Sequence, residues 1–223
     1  MRFFEGCTAL ITGASSGLGA EFARQLAPVA RTIVLAARRG NHLEELKREL
    51  EALHPGLRVR VYVVDLTDEV RIRAFVDWLA DEGHAVNFLV NNAGMGDKGP
   101  FATSDWPKVR TMLELNVVAL TRLTHLLLPV LRHGGRGAVL NVSSIAGLVP
   151  LPFMAVYAAT KAYVNSFSDG LRMELRDTGV TVTAVLPGPA ETGFGKVAAR
   201  GTDEPRRDSP DFLTEPVEKV VRR

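Results

Sequence analysis

A doubly wound α/β fold, one parallel sheet with helices on both faces, is what this sequence predicts, and three observations predict it. Short apolar runs alternate along the chain with longer amphipathic ones. The short runs are rich in Val, Ile and Leu without strict polar alternation, as strands covered on both faces are. A glycine-rich turn joins the first run to the first helical pattern. The resulting βαβαβ order implies right-handed crossovers and a Rossmann-type sheet.

The predicted strands cover residues 7–12, 32–37, 58–64, 86–91, 137–142 and 180–186. Helical patterns cover 17–28, 41–53, 68–83, 104–132 and 153–178. In the third of these, Val70, Ala74, Phe75, Trp78 and Leu79 recur at helical spacing. Residues 187–213 break the rhythm with Pro187, Gly188, Pro189, Gly193, Gly195, Gly201, Pro205 and Pro210. That stretch reads either as a solvated connection or as a lid over a substrate site. A last helical segment begins near Thr214. There is no internal repeat, and residues 1–223 read as one domain.

The composition is that of a globular protein with one large core. A formal net charge of +2 gives no field for nucleic acid or an anionic membrane, so neither is expected as a partner. Cys7 is the lone cysteine, which rules out an internal disulfide and a cysteine-based metal site; a buried, inert thiol is expected. No signal peptide is visible, and apolar runs such as 126–131 are too short to span a bilayer. The cytoplasm is the expected compartment.

Thr12-Gly13-Ala14-Ser15-Ser16-Gly17-Leu18-Gly19 follows the first strand and opens the first helix. Glycines there let backbone N–H groups approach a pyrophosphate, and the helix N-terminus adds partial positive charge. Such a turn can also serve packing alone; its place at the first strand–helix junction favours a nucleotide. The next strand ends in Ala37-Arg38-Arg39, where an NAD site usually carries Asp or Glu for the ribose 2′-OH. Guanidinium groups suit the 2′-phosphate of NADP(H), so NADP(H) is expected over NAD(H).

Tyr157-Ala158-Ala159-Thr160-Lys161 puts a phenol and an ammonium on one helix face. An ammonium nearby favours phenolate, and a phenol so tuned can pass a proton. The pair is weak by itself. It gains from Ser144, at the carboxyl end of the preceding strand, whose hydroxyl can steady a reacting carbonyl oxygen. Asn116, inside an apolar helical stretch, needs hydrogen-bond partners there.

Together these residues resemble the classical short-chain dehydrogenase/reductase (SDR) family. The match runs over nearly the whole chain: Thr12-Gly-x-x-x-Gly-x-Gly19, Asp65, Asn91-Asn92-Ala93-Gly94, Asn116, Ser144, Tyr157-x-x-x-Lys161 and Pro187-Gly188. The resemblance implies an oxidoreductase in which Tyr157 is general acid and base and Ser144 polarises the reacting oxygen. It implies that Lys161 binds the nicotinamide ribose and lowers the Tyr157 pKa, and that Asn116 holds a water that relays protons. It places Gly13, Ser15, Ser16, Gly17, Leu18 and Gly19 at the cofactor phosphates, with Arg38 and Arg39 beside the 2′-phosphate. Asp65 and Leu66 meet the adenine, Asn92, Ala93 and Gly94 line the cleft, and Pro187, Gly188 and Thr192 flank the nicotinamide. The family normally continues into a further C-terminal strand, which the chain is expected to lack.

The substrate-side residues are mostly apolar: Met95, Ile145, Val149, Leu151, Phe153, Met154, Pro189 and Phe194. An uncharged, hydrophobic small-molecule ketone, aldehyde or alcohol is therefore expected. A non-catalytic NADP(H)-binding sensor or scaffold is the alternative, and the complete Asn116–Ser144–Tyr157–Lys161 set argues against it. A nucleotide-sugar epimerase of the extended branch would carry a longer substrate domain. The family commonly forms a homodimer or homotetramer through its fourth and fifth helices.

Overall fold

Every predicted strand forms, within two residues of its expected limits. A computed structural model describes residues 4–190, 194–199 and 214–222. In chain order the described elements are β1 (Thr8–Thr12), α1 (Gly17–Leu26), β2 (Thr32–Ala37), α2 (Gly40–Leu53), β3 (Arg58–Val63), α3 (Glu69–Asp81), β4 (Phe88–Asn91) and α4 (Trp106–Leu113). A π-helical segment (Glu114–Ala119) then leads into α5 (Leu120–His133). β5 (Gly137–Val142), α6 (Ala155–Glu174), β6 (Val180–Val185) and two short helices, α7 (Phe194–Ala198) and α8 (Val217–Arg222), follow.

The strands pair in the order β3-β2-β1-β4-β5-β6, every pairing parallel. Successive strand residues face opposite sides, and both sides are covered. Ala9, Ile11, Ile33, Leu35 and Val90 join Phe22, Leu26, Leu43 and Leu50 of α1 and α2 on one side. Leu10, Val34, Leu89, Val139 and Val182 join Ile72, Phe75, Leu123, Leu127 and Leu171 on the other. This two-sided burial is why the inner strands β1, β2, β4 and β5 carry no polar alternation, whereas the edge strands β3 and β6 do alternate, with Arg58, Arg60, Thr181 and Thr183 exposed.

The predicted helix 104–132 forms, but it is not one regular α-helix, because six of its residues take the wider π turn. An apolar stripe continues through the segment, so sequence periodicity hides the change of pitch. By length and composition alone, the helical run Trp106–His133 could cross a bilayer. Its Met112, Leu123, Leu127 and Leu131 are instead buried inside the fold.

The chain leaves β1 for β2 on one side of the sheet, and β4 adjoins β1 on the other. That reversal opens a crevice at the carboxyl ends of β1 and β4, where doubly wound sheets bind ligands.

Candidate active site

The turn after β1 and the turn after β4 meet in this crevice. The Thr12 hydroxyl accepts from the backbone N–H of Asn92 and of Ala93, each at 3.0 Å, and donates to the Val90 carbonyl at 3.3 Å. The Asn92 amide donates to the carbonyls of Thr12 (2.9 Å) and Gly13 (3.2 Å). Only glycine fits at 13: its φ is +65°, and a Cβ there would lie 2.8 Å from the Ala93 Cα. Gly19 is as tight, its Cβ position 2.5 Å from the Asn92 Nδ2. Gly13, Gly19 and Asn92 therefore fix the shape of the turn by packing on one another.

Ser15, Ser16, Gly17 and Leu18 form the open part. Ser16 stands at the N-cap of α1, yet no side chain caps the helix and its first turn carries no acid. The uncapped N–H groups and the dipole suit an anion. Arg39 lies over them. Its Nη2 donates to the Ser15 Oγ (2.9 Å) and the Ser16 Oγ (2.6 Å). Arg38 is exposed beside Asp65 and helps lower that carboxyl's pKa. Burial pushes Asp65 up, but two hydrogen bonds from Thr67, with Arg38 and Arg71 nearby, hold it below the usual carboxylate range. The Leu66 side chain belongs to the core. Thr192 lies outside the described residues.

Across the crevice, β5 presents Ser143 and Ser144, and α6 presents Tyr157 and Lys161. The Ser144 side chain stands near the Tyr157 phenol and acts to lower its pKa. Ser144 also accepts from the Ala146 N–H (3.1 Å) and donates to the Pro187 carbonyl (3.5 Å), which brings Pro187 and Gly188 alongside. The Lys161 Nζ donates to the Val142 carbonyl at 2.8 Å and lies 5.8 Å from the centre of the Tyr157 ring. Burial pushes the Lys161 ammonium down to about 8. Burial also pushes the Tyr157 phenol up, and the Ser144 side chain opposes it only in part. This corrects the expectation that Lys161 draws the phenol below its ordinary value: both groups are desolvated, and the ammonium is held by a carbonyl of β5.

Asn116 sits in the π segment, 1% exposed. Its amide is nearly saturated: Oδ1 accepts from the Met95 N–H (2.9 Å), and Nδ2 donates to the Met95 carbonyl (2.9 Å) and the Thr160 Oγ1 (3.0 Å). Thr160 in turn donates to the Tyr157 carbonyl at 2.7 Å. Asn116 thus ties the β4 turn to α6. Gly94 completes the pocket, its Cβ position 3.3 Å from the Asn116 Oδ1 and 3.6 Å from the Lys161 Nζ. A side chain there would fill the space before the ammonium, so the residues present leave room for a ring or sugar.

Sequence reasoning missed a second polar chain beneath the site. Asn91 Nδ2 donates to Thr124 Oγ1 and to Asn141 Oδ1, and Asn141 Nδ2 donates to Ser168 Oγ, all at 2.9 Å. Ser143 Oγ donates to the Lys161 carbonyl at 3.0 Å. These bonds fix the register of α6 on β5. The available signal was polar residues at positions whose neighbours are core.

The short chain dehydrogenase family model matches residues 7–202. The chain belongs to the short-chain dehydrogenase family. It is similar to sulfoacetaldehyde reductase 2 of Chromohalobacter salexigens, 38% identical over 218 residues, which are 95% of this chain and 85% of that one. Among solved structures it resembles a short-chain dehydrogenase from Sphingobium yanoikuyae in complex with NADPH (TM-score 0.85, 33% identity, 97% of this chain and 82% of that one). It also resembles the bulky-bulky ketone specific alcohol dehydrogenase from Comamonas testosteroni (TM-score 0.82, 32% identity, 97% and 80%). As a member of this family the chain is an oxidoreductase.

Proposed function

We propose that this chain is an NADP(H)-dependent oxidoreductase that interconverts an alcohol and a ketone or aldehyde of a hydrophobic small molecule. The observation that carries the reading is the buried Lys161 ammonium, 5.8 Å from the Tyr157 ring centre, with Asn116 and Lys161 both beside Gly94 and Ser144 near the phenol. The chemistry that a bound NADP(H) would supply is the hydride. The chain's own residues handle the proton and the charge.

In reduction, the Ser144 hydroxyl donates to the substrate's carbonyl oxygen and stabilises the negative charge that grows there. Tyr157 delivers the proton to that oxygen; in oxidation it removes it. A phenol raised by burial is protonated at neutral pH and ready as the acid. Lys161, near 8, is largely charged at neutral pH and would hold the ribose hydroxyls of the bound cofactor. Asn116 has one Oδ1 lone pair beyond the bonds described, which can hold a water that returns the proton.

The uncapped N-terminus of α1 and the residues 13–19 would hold the pyrophosphate, with Asn92, Ala93 and Gly94 along the cleft and Asp65 and the Leu66 backbone at the adenine. Arg39 over Ser15 and Ser16, with Arg38 beside it, forms a basic rim suited to a 2′-phosphate. The NADPH-bound relative from Sphingobium supports this choice. The ketone-specific relative from Comamonas supports a carbonyl substrate. We place the activity in the cytoplasm and in a homodimer or homotetramer, for which the half-exposed Leu113, Val118 and Tyr163 of α4, the π segment and α6 offer an apolar face.

The test is NADPH consumption against a panel of ketones and aldehydes, run beside Tyr157→Phe. Turnover in the parent, lost in Tyr157→Phe with cofactor affinity kept, is expected. Tight cofactor binding with no turnover on any carbonyl would establish the sensor or scaffold reading instead.

A further inference from the structure

One glycine of the site has no conformational reason to be glycine. Gly96, two residues after Gly94, is not among the glycines with positive φ. What it lacks is room. A Cβ at this position would lie 2.6 Å from Cζ and 3.0 Å from Cε1 of Phe194, and 3.3 Å from the Ala198 Cβ. Phe194 opens α7, and its ring meets the ring of Tyr157 with centroids 5.3 Å apart and planes inclined at 49°. The short helix is fastened to the same loop: the Lys98 N–H donates to the Ala198 carbonyl at 3.0 Å, and Lys98 pairs with Ala199. One aromatic side chain is therefore seated between a bare backbone position and the phenol ring.

We infer that Phe194 is a specificity-determining wall of the substrate site and that Gly96 is the socket that seats its ring against Tyr157. The ring covers one flank of the phenol, which narrows the space for the group on that side of the substrate carbonyl and sheds water from the phenol. A small or flat substituent fits beside it; a branched one collides with it. The selected class is aldehydes and ketones with one slim arm. Any side chain at 96 pushes the ring off its seat, and the site then widens as if Phe194 had been removed. This rests on the carbonyl-reductase reading above.

The experiment is a double-mutant cycle of Gly96→Ala and Phe194→Ala with two readouts. The first is the ratio of kcat/KM for isobutyrophenone, branched on one side and aryl on the other, to that for propanal, with NADPH. The second needs no turnover: Tyr157 titration by tyrosinate absorbance, each variant differenced against its own Tyr157→Phe partner. Each single change is expected to raise the bulky-to-slim ratio by about tenfold, the scale at which a hydrophobic pocket discriminates by size. Each also brings the Tyr157 titration to lower pH, because the phenol is wetter. In the Phe194→Ala background, Gly96→Ala adds nothing to either readout. The inference is overturned if Phe194→Ala leaves ratio and titration unmoved, or if Gly96→Ala acts equally in both backgrounds. A parent protein that reduces no carbonyl would defeat the reading of the activity, while the titration arm still decides whether Gly96 seats the ring. Gly96→Ser serves where Gly96→Ala folds poorly.

Discussion

The two banks of the crevice are built on opposite plans. On the β1–β2 bank, Arg38 and Arg39 are exposed, and Arg39 grips two serine hydroxyls at the surface. On the β5–α6 bank, Tyr157, Lys161, Asn116 and Asn141 are all under 8% exposed, and the polar atoms of Lys161, Asn116 and Asn141 are held by carbonyls, hydroxyls and a neighbouring amide. Exposed charges interact through water and are screened, so they set affinity in modest steps. Desolvated groups change their proton affinity by whole units, so they set chemistry. In the proposed reaction, one bank chooses the cofactor, and the other chooses where a proton sits.

That contrast can be broken at four places. The largest effect is expected from Tyr157→Phe, which removes the proton donor and lowers kcat by roughly a thousandfold, with the KM for NADPH within about twofold; steady-state kinetics decide it. Lys161→Met comes next. The folded lysine sits near 8 against its ordinary 10.5, so the unfolded chain binds its proton more tightly. The parent protein therefore bears the cost of a buried ammonium in full below pH 8 and loses that cost between 8 and 10.5. Thermal unfolding should show the parent gaining on Lys161→Met across that window, and parallel curves would contradict the burial argument. Asn141→Ala, which strips partners from Asn91 and Ser168 inside the core, should destabilise by about 2 kcal/mol in chemical denaturation. The smallest effect belongs to the exposed bank: Arg38→Asp should raise the KM for NADPH about tenfold, worth about 1.4 kcal/mol, with that for NADH nearly unchanged and the difference shrinking at high salt. Equal changes for both cofactors would remove the basis for the NADP(H) choice.

The sheet was legible because a strand buried on both faces leaves a plain mark, a short run of Val, Ile and Leu between helical periods; β2 at 32–37 is read to the residue. Gly13, Ser144, Tyr157 and Lys161 were legible because their spacing is fixed by one turn, one strand end and one helical turn. The π segment was not, since Leu113, Leu115 and Val118 keep an apolar rhythm that an α-helix explains as well. Nor was the demand for glycine at 96, which comes from a ring almost a hundred residues away. The Asn141–Ser168 bond joins β5 to α6, and a one-dimensional reading sees two polar residues in apolar company. The raised phenol was misjudged for a similar reason: the sequence displays the neighbouring charge but not the loss of water.

The wide turn at Glu114–Ala119 has a consequence for how this chain can change. A π turn behaves as an α-helix carrying one surplus residue, so losing a single residue from it would restore an α turn while the helix on either side keeps its phase. A residue lost from α5 has no such surplus to draw on and would rotate everything beyond it by about 100°. The Leu123–Leu127–Leu131 ridge, buried in the fold, could not then keep its place. Within this helical run, single-residue deletions that leave the fold intact should thus concentrate at Glu114–Ala119, a pattern that a library of random in-frame deletions would expose.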